Sequence, residues 1–394
     1  MGIFATVPVA RNLQVFVYNS LGREFFTYTV LFFIFAGLTI LLYLFIFKLR
    51  IKKISQYLWL FACGSVYVYY TIKLKEHPEE AIHFLEYGLL SYFVFMALSR
   101  KIRDWTIYIT SALLVLFVGT IDEFLQWMMP NRFWDFRDIG LNTLAGGIFL
   151  LGLWKGVKPK IICSPVKKIS AKMLVGVITV NLLLLGLCLS NTPCSVNYYT
   201  ERLNILSWLR NEESMTELAY KHRDSELGVF YSRLNLKELR EVDLTKGKLY
   251  GETLSQDINS EMTDKELIEI YNPCANPFLY EFTVHLLRRD SNLKEITESS
   301  NTYERIKSSN IALKENLILE RYFWNTLMYS GHVLPDELVS DLKKTASLWK
   351  EDYVSKTGRL VITSFNLRSI WMTILTILAA VWLSGMFWKR RLNN

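Results

Sequence analysis

Apolar residues gather along the chain in runs at roughly 26–47, 56–74, 82–98, 105–128, 139–157, 170–190 and 369–388. Each comes near the roughly 20 residues that an α-helix needs to cross a bilayer core. The third run is short, and the third, fourth and fifth carry charges. Between the sixth and seventh runs the pattern changes. Residues 191–368 alternate charged and apolar positions with helical spacing, as in "IALKENLILERYFWNTLMYSG" (311–331), which ends at Gly331 as a C-cap. Pro335 then opens "PDELVSDLKKTASLWKEDYV", as proline does at a helix start.

The pattern predicts an all-α protein: a polytopic membrane bundle of about seven helices with a mostly helical water-facing domain. The expected organisation is an N-terminal segment 1–25, a transmembrane domain 26–190, a second domain 191–368, and a last span with a basic tail over 369–394. Composition agrees. Of 394 residues 51% are hydrophobic, too apolar for a soluble chain of this length, while 21% are charged, too many for spans alone. The first residues show no small-residue cleavage site after a short apolar core, so the first span is expected to remain.

The net charge of +8 reads as topology and not as nucleic-acid binding. "KLRIKK" (48–53), "SRKIRD" (99–104), "KGVKPKIICSPVKKISAK" (155–172) and "KRR" (389–391) all fall on one side if the helices alternate. That side is then cytoplasmic, which predicts a multi-pass protein of a cytoplasmic membrane with its N-terminus outside, its C-terminus inside and 191–368 extracytoplasmic.

Polar residues then meet at the outer ends of three consecutive spans. His83, Glu86 and Tyr87 share one face of the third. Asp122, Glu123 and Gln126 end the fourth, and Asp138, Asn142 and Gly146 repeat every four residues at the start of the fifth, with Arg132 in the loop between them. Ionisable groups at that depth are costly and mark functional sites, although they also serve as hydrogen bonds between helices. The candidate ligand-binding set is His83, Glu86, Tyr87, Asp122, Glu123, Gln126, Arg132, Asp138 and Asn142. Asp135 and Arg137 read as solvated interface residues. His83 and Glu123 are the candidates for acid–base work.

"AIHFLEYGLLSYFVF" followed by "DEFLQWMMPNRFWDFRDIGLNTLAGG" resembles the VanZ-like membrane family over residues 26–157. The matching positions are His83, Tyr87, Glu123, Gln126, Arg132, Asp138, Asn142 and Gly146. The resemblance implies a bacterial cytoplasmic-membrane protein, and the family's named member is associated with low-level resistance to the glycopeptide teicoplanin. Two further spans and the domain 191–368 are additions to that pattern.

In the water-facing domain, "YKHRDSELGVFYSRL" (220–234) and "YEFTVHLLRRDSN" (280–292) hold His222, Asp224, Arg233, His285, Arg288 and Asp290. Two histidines and two aspartates raise metal binding, and the arginines an anion site. The spacing matches no metal motif, and His285 in an apolar helix reads as a hydrogen-bonded core histidine. Among the five cysteines, Cys194 and Cys274 are the pair on the outer side and the candidate disulfide. Phosphate loops, nucleophile elbows, zincin and Cys-x-x-Cys motifs are missing from the sequence, so no metal or cofactor is expected.

Three functions remain. The first is a non-enzymatic protein that binds a lipid-linked envelope precursor or a glycopeptide at the outer leaflet. The second is a scaffold working with other envelope proteins through 191–368. The third is a membrane enzyme acting on a lipid-linked phosphate. The bilayer is a partner in each.

Overall fold

A computed structural model describes residues 17, 20, 22, 24–75, 78–129, 132–211, 214–258, 271–358, 360–363 and 365–391. Most of the expected N-terminal segment 1–25 lies outside the described residues. The chain divides into two compact units, Met1–Leu187 with Trp371–Asn394, and Cys188–Ile370.

The first unit is helical: α1 (Phe25–Tyr43, continued by a π-turn over Leu44–Lys48), α2 (Ile54–Lys73), α3 (Pro78–Leu98), α4 (Thr106–Trp127), α5 (Phe136–Leu151, continued by a π-turn over Gly152–Val157), α6 (Lys168–Ser190) and α13 (Leu367–Arg391). Six of these are long and apolar enough to cross a membrane: Phe25–Lys48, Glu80–Leu98, Thr106–Trp127, Phe136–Val157, Lys168–Ser190 and Leu367–Trp388. The run expected as a span over 56–74 forms α2 but is not among the six. Its four tyrosines, with Gln56 and Thr71, dilute the apolar character that length alone would supply.

In α1 only Val30 and Ile34 are buried, one helical turn apart, while Phe32, Phe33 and Phe35 face outward. An apolar outer surface is what a helix against lipid presents. α3, α4 and α5 pack on one another closely enough that small residues are required. A Cβ added at Gly146 of α5 would lie 2.8 Å from Val115 Cγ1 of α4, and one at Gly88 of α3 would collide with the Tyr67 hydroxyl of α2. That hydroxyl donates to the Ala145 carbonyl at 2.7 Å, and Gln56 Nε2 donates to the Gly156 carbonyl at 2.5 Å, so α2 is tied to α5 at two depths.

At the opposite end of α4 from the polar cluster, Asp104 Oδ1 accepts from the Thr106 amide (3.0 Å) and hydroxyl, and Oδ2 accepts from Ser170 Oγ at 2.6 Å. Asp104 is buried. The acid at the end of "SRKIRD", read from sequence only as part of a basic loop, is the cap that joins the starts of α4 and α6.

The second unit contains α7 (Pro193–Arg202), a 3₁₀ segment (Asn204–Asn211), α8 (Leu236–Ile258), α9 (Pro277–Glu298), α10 (Thr302–Tyr322), α11 (Trp324–Ser330) and α12 (Asp336–Ala346). It also has strands β1 (Glu217–Asp224), β2 (Gly228–Ser232), β3 (Val354–Ser355) and β4 (Leu360–Thr363), in the order β3-β2-β1-β4. β1 and β2 form an antiparallel hairpin with His222 opposite Phe230, and both outer pairings are parallel. The unit is mostly helical, as expected, but it is not all-α. The sheet escapes sequence reading because its strands are short and two of its pairings join residues more than 100 positions apart.

The helix expected over 311–331 is two helices that break at Phe323. The break is stabilised by Asp243 on α8, whose carboxylate accepts from the amides of Asn325 (2.9 Å) and Thr326 (3.1 Å) at the start of α11. Gly247 and Gly251 follow at four-residue spacing on α8, and a Cβ at either would meet α11 at under 3.0 Å. Gly331 closes α11 with φ of 77°, and Pro335 stands at the N-cap of α12. Phe230, Phe278, Phe282, Leu286, Ile318 and Phe323 form the centre of the core. Cys194 and Cys274 are disulfide-bonded, with Cα atoms 5.3 Å apart, and so join α7 to the loop before α9.

Candidate functional site

The polar residues at the junction of α3, α4 and α5 form one connected group centred on Asp122. Its carboxylate is buried, and Oδ2 accepts from the Tyr87 hydroxyl at 3.0 Å and from Gln126 Nε2 at 3.3 Å. Oδ1, equally buried, has no hydrogen-bond partner among the described residues. Asn142 on α5 and the Tyr87 ring both approach Gly119, one turn before Asp122, where a Cβ would meet each at 3.5 Å. One residue from each of three helices thus reaches the same depth.

Glu123 plays a different part. It too is buried, but its Oε1 accepts from the Asp135 amide at 2.7 Å, so it holds the α4–α5 loop in place. Asp135 in turn caps α5 by accepting from the Arg137 amide at 2.8 Å. Arg137 reaches Glu80 at 2.7 Å. Asp135 and Arg137, read as solvated, are therefore engaged in capping and pairing at a partly exposed surface.

His83 and Glu86 stand at the open edge of the group, 3.3 Å apart and each more than a third exposed. No hydrogen bond joins His83 to Glu123 among the described residues, so the two acid–base candidates are held by different neighbours. Arg132 is exposed in the loop and Asp138 is half-buried in the first turn of α5. His83 lies within electrostatic range of Asp122 and Asp138, and Arg132 within range of Asp138. Four acids, Glu86, Asp122, Glu123 and Asp138, and two bases, His83 and Arg132, thus share this end of the bundle.

Trp134 was not legible as a site residue. It is buried against Phe136, its indole Nε1 without a partner among the described residues, one residue before the Asp135 amide that meets Glu123. The signal was present in "FWDF", a tryptophan between charged residues in a short interhelical loop.

The six candidates of the second unit are spent on internal bonds. His222 Nε2 pairs with the Leu234 carbonyl at 3.1 Å and its ring packs on Phe230, and burial pushes its pKa down. Asp224 turns the β1–β2 hairpin by accepting from the amides of Glu226 and Leu227. These amides and the Arg321 guanidinium outweigh its slight burial and hold its carboxyl below the ordinary value. Arg233 bridges Glu217 (2.9 Å) and Glu281 (3.2 Å) and lies over the Tyr280 ring. Asp290 pairs with the neighbouring Arg289 at 2.7 Å.

His285 and Arg288 converge on Glu315 of α10, which is not among the candidates the sequence points to. His285 Nδ1 is 2.5 Å from Oε2, Arg288 Nη1 donates to Oε1 at 3.0 Å, Ser355 Oγ donates to Oε1 at 2.8 Å, and the Tyr353 hydroxyl donates to the same oxygen. Burial alone would raise the Glu315 pKa, but His285, Arg288 and Tyr353 overcome it and hold it at about 2. The signal for Glu281 is a lone acid inside the apolar stretch "FLYEFTV", which at full burial must be paired; Glu315, between Lys314 and Asn316, carries no such signal. Among the described residues, no group of three or more His, Cys, Asp or Glu is placed to hold a metal ion. Compared with protein-family models, with curated proteins and with solved structures, the chain matches none of them.

Proposed function

We propose that this chain is a multi-pass membrane protein of a bacterial cell envelope, related to the VanZ-like family, that binds the polar head of a lipid-phase ligand at the junction of α3, α4 and α5. The observation that carries the reading is Asp122: a buried carboxylate in a membrane-crossing helix, with one oxygen satisfied by Tyr87 and Gln126 and the other unpartnered. An acceptor at such depth without a donor is costly, and a bound hydroxyl, amide or ammonium hydrogen relieves that cost. A lipid-linked envelope precursor and a glycopeptide both carry hydroxyl and amide hydrogens, which are the donors such an acceptor takes.

In this reading α2 is a seventh span, because Gln56 and Tyr67 bond it to α5 and its tyrosines still suit a helix buried among others. Seven alternating helices put the four basic loops in the cytoplasm and the polar cluster, with Cys188–Ile370, on the outer side. Arg132, exposed in the outer loop, is then the cation that meets an anionic headgroup.

Native mass spectrometry of the full-length protein with its co-purified lipids tests this, comparing wild type with Asp122→Ala and Asn142→Ala. A specific lipid adduct lost from both variants, while the Cys194–Cys274 bond stays intact, is the expected result. Identical adducts in all three would mean that the cluster only joins the helices, and the binding reading would be abandoned.

A further inference from the structure

The segment that follows α6 carries an apolar surface that none of the described residues of its own unit covers. Ile205 is 83% exposed, the highest value of any large apolar side chain among the described residues, and exceeds every lipid-facing residue of the membrane-crossing helices. Tyr198 is 61%, Leu203 50% and Trp208 39% exposed beside it. A 3₁₀ helix has three residues per turn, so Ile205 and Trp208 stand one above the other on one side, while Leu209 turns inward and is buried.

Chain geometry limits where this surface can be. Only Asn191 and Thr192 separate α6 from α7. After the 3₁₀ segment the chain returns to the same point, because the Thr216 amide donates to the Asn191 carbonyl at 3.1 Å and its hydroxyl to the Cys188 carbonyl at 3.2 Å. Asn191 and Thr216 are thus held together at the end of a membrane-crossing helix, and α7 with the 3₁₀ segment starts from that base. α7 packs against the 3₁₀ segment, and at 1.5 Å per residue its ten residues extend only about 15 Å from that base. The polar boundary layer on each side of the hydrocarbon core is itself several ångströms deep.

We propose that residues 193–211 are an interfacial membrane anchor, lying at the headgroup–acyl boundary of the leaflet from which α6 emerges, with Leu203, Ile205 and Trp208 inserted. Tryptophan and tyrosine favour this layer because an apolar body and a polar edge are both accommodated there. Arg202 lies with its guanidinium 3.7 Å from the Tyr198 ring and donates to the Tyr198 carbonyl, so the anchor carries a cation beside an aromatic ring, the pairing suited to anionic headgroups. The occupant is the bilayer, since the surface continues directly from a membrane-crossing helix. This assignment does not depend on what binds at Asp122.

The test uses full-length protein in nanodiscs of phosphatidylethanolamine and phosphatidylglycerol. With Cys163→Ser to remove the exposed thiol, nitroxide labels are attached at Ile205→Cys, at Trp208→Cys and, as a water-exposed control, at Lys344→Cys. Collision with oxygen should exceed collision with a water-soluble nickel chelate several-fold more at 205 and 208 than at 344. Equal ratios at all three positions would overturn the anchor and leave the surface for a protein partner. If the added cysteines disturb the Cys194–Cys274 bond, brominated-lipid quenching of tryptophan fluorescence replaces them. The quenched fraction falls in Trp208→Phe if Trp208 is inserted, and rises if it is in water, because an unquenched emitter has then been removed.

Discussion

Replacing Glu315 by glutamine keeps the size of the side chain and removes one charge from a site where four donors meet: His285, Arg288, Tyr353 and Ser355. Two of them, Tyr353 and Ser355, lie on the extended segment that forms β3, and Arg288 also donates to the Lys356 carbonyl at 2.6 Å. The carboxylate therefore fastens this strap to α9 and α10. In the folded chain Glu315 is held at about 2 against an ordinary value of 4.5. At roughly 1.4 kcal/mol for each pH unit of that difference, the charged form contributes about 3 kcal/mol. Removing one partner of a buried pair costs about 3–5 kcal/mol by a separate route, which agrees in size. Because the folded pKa is depressed, this stability is fully present above pH 4.5 and is lost as pH falls from there towards 2.

Hydrogen–deuterium exchange of the full-length protein in detergent measures the effect directly. About 3 kcal/mol corresponds to roughly a hundredfold rise in local opening, so amides of residues 353–357 should exchange about two orders of magnitude faster in Glu315→Gln at pH 7. Wild type should approach the variant's rate, corrected for intrinsic exchange, as pH is lowered through 4 towards 2, and the variant should lack that dependence. Exchange within a few-fold of wild type at pH 7 would show that the carboxylate does not hold the strap, and the electrostatic reasoning would fail with it.

Asp243→Ala removes the carboxylate that caps α11 and should cost about 1–2 kcal/mol, seen as earlier proteolysis within 324–331. Gly146→Val forces a side chain against Val115 and should destabilise the helical bundle by about 1–3 kcal/mol, read as a lower melting temperature in detergent, whereas Gly140→Ala, which meets nothing, should leave it unchanged. Reducing the Cys194–Cys274 bond, which closes a separation of 80 residues, should destabilise Cys188–Ile370 by up to about 4.5 kcal/mol; an unchanged denaturant midpoint of that unit after complete reduction would refute this.

Apolar run length by itself marked the six helices long and apolar enough to cross a membrane, because a bilayer demands some 20 apolar residues whatever the neighbours are; the run 56–74 has the length but falls short in apolar character. Helix-end chemistry was equally local: Gly331 and Pro335 mark their boundaries because φ preference and the lost amide act within one turn. The convergence of Tyr87, Asp122 and Asn142 was legible as a shared depth, since three consecutive spans repeat polar residues near the same end.

Tertiary structure alone decided what each of those residues does. Asp122 and Glu123 are adjacent in sequence, yet one is left with an unpartnered oxygen while the other caps a loop. A helix turns successive side chains by 100°, and only the packed neighbours determine which partner each one meets. The same holds for the sheet, whose short strands pair across more than 100 residues, and for Glu281 and Glu315, ordinary acids in sequence that become buried counter-charges when α9 and α10 pack. Burial converts a carboxylate from a solvated surface group into one that must be paired, and burial is a property of the assembled fold.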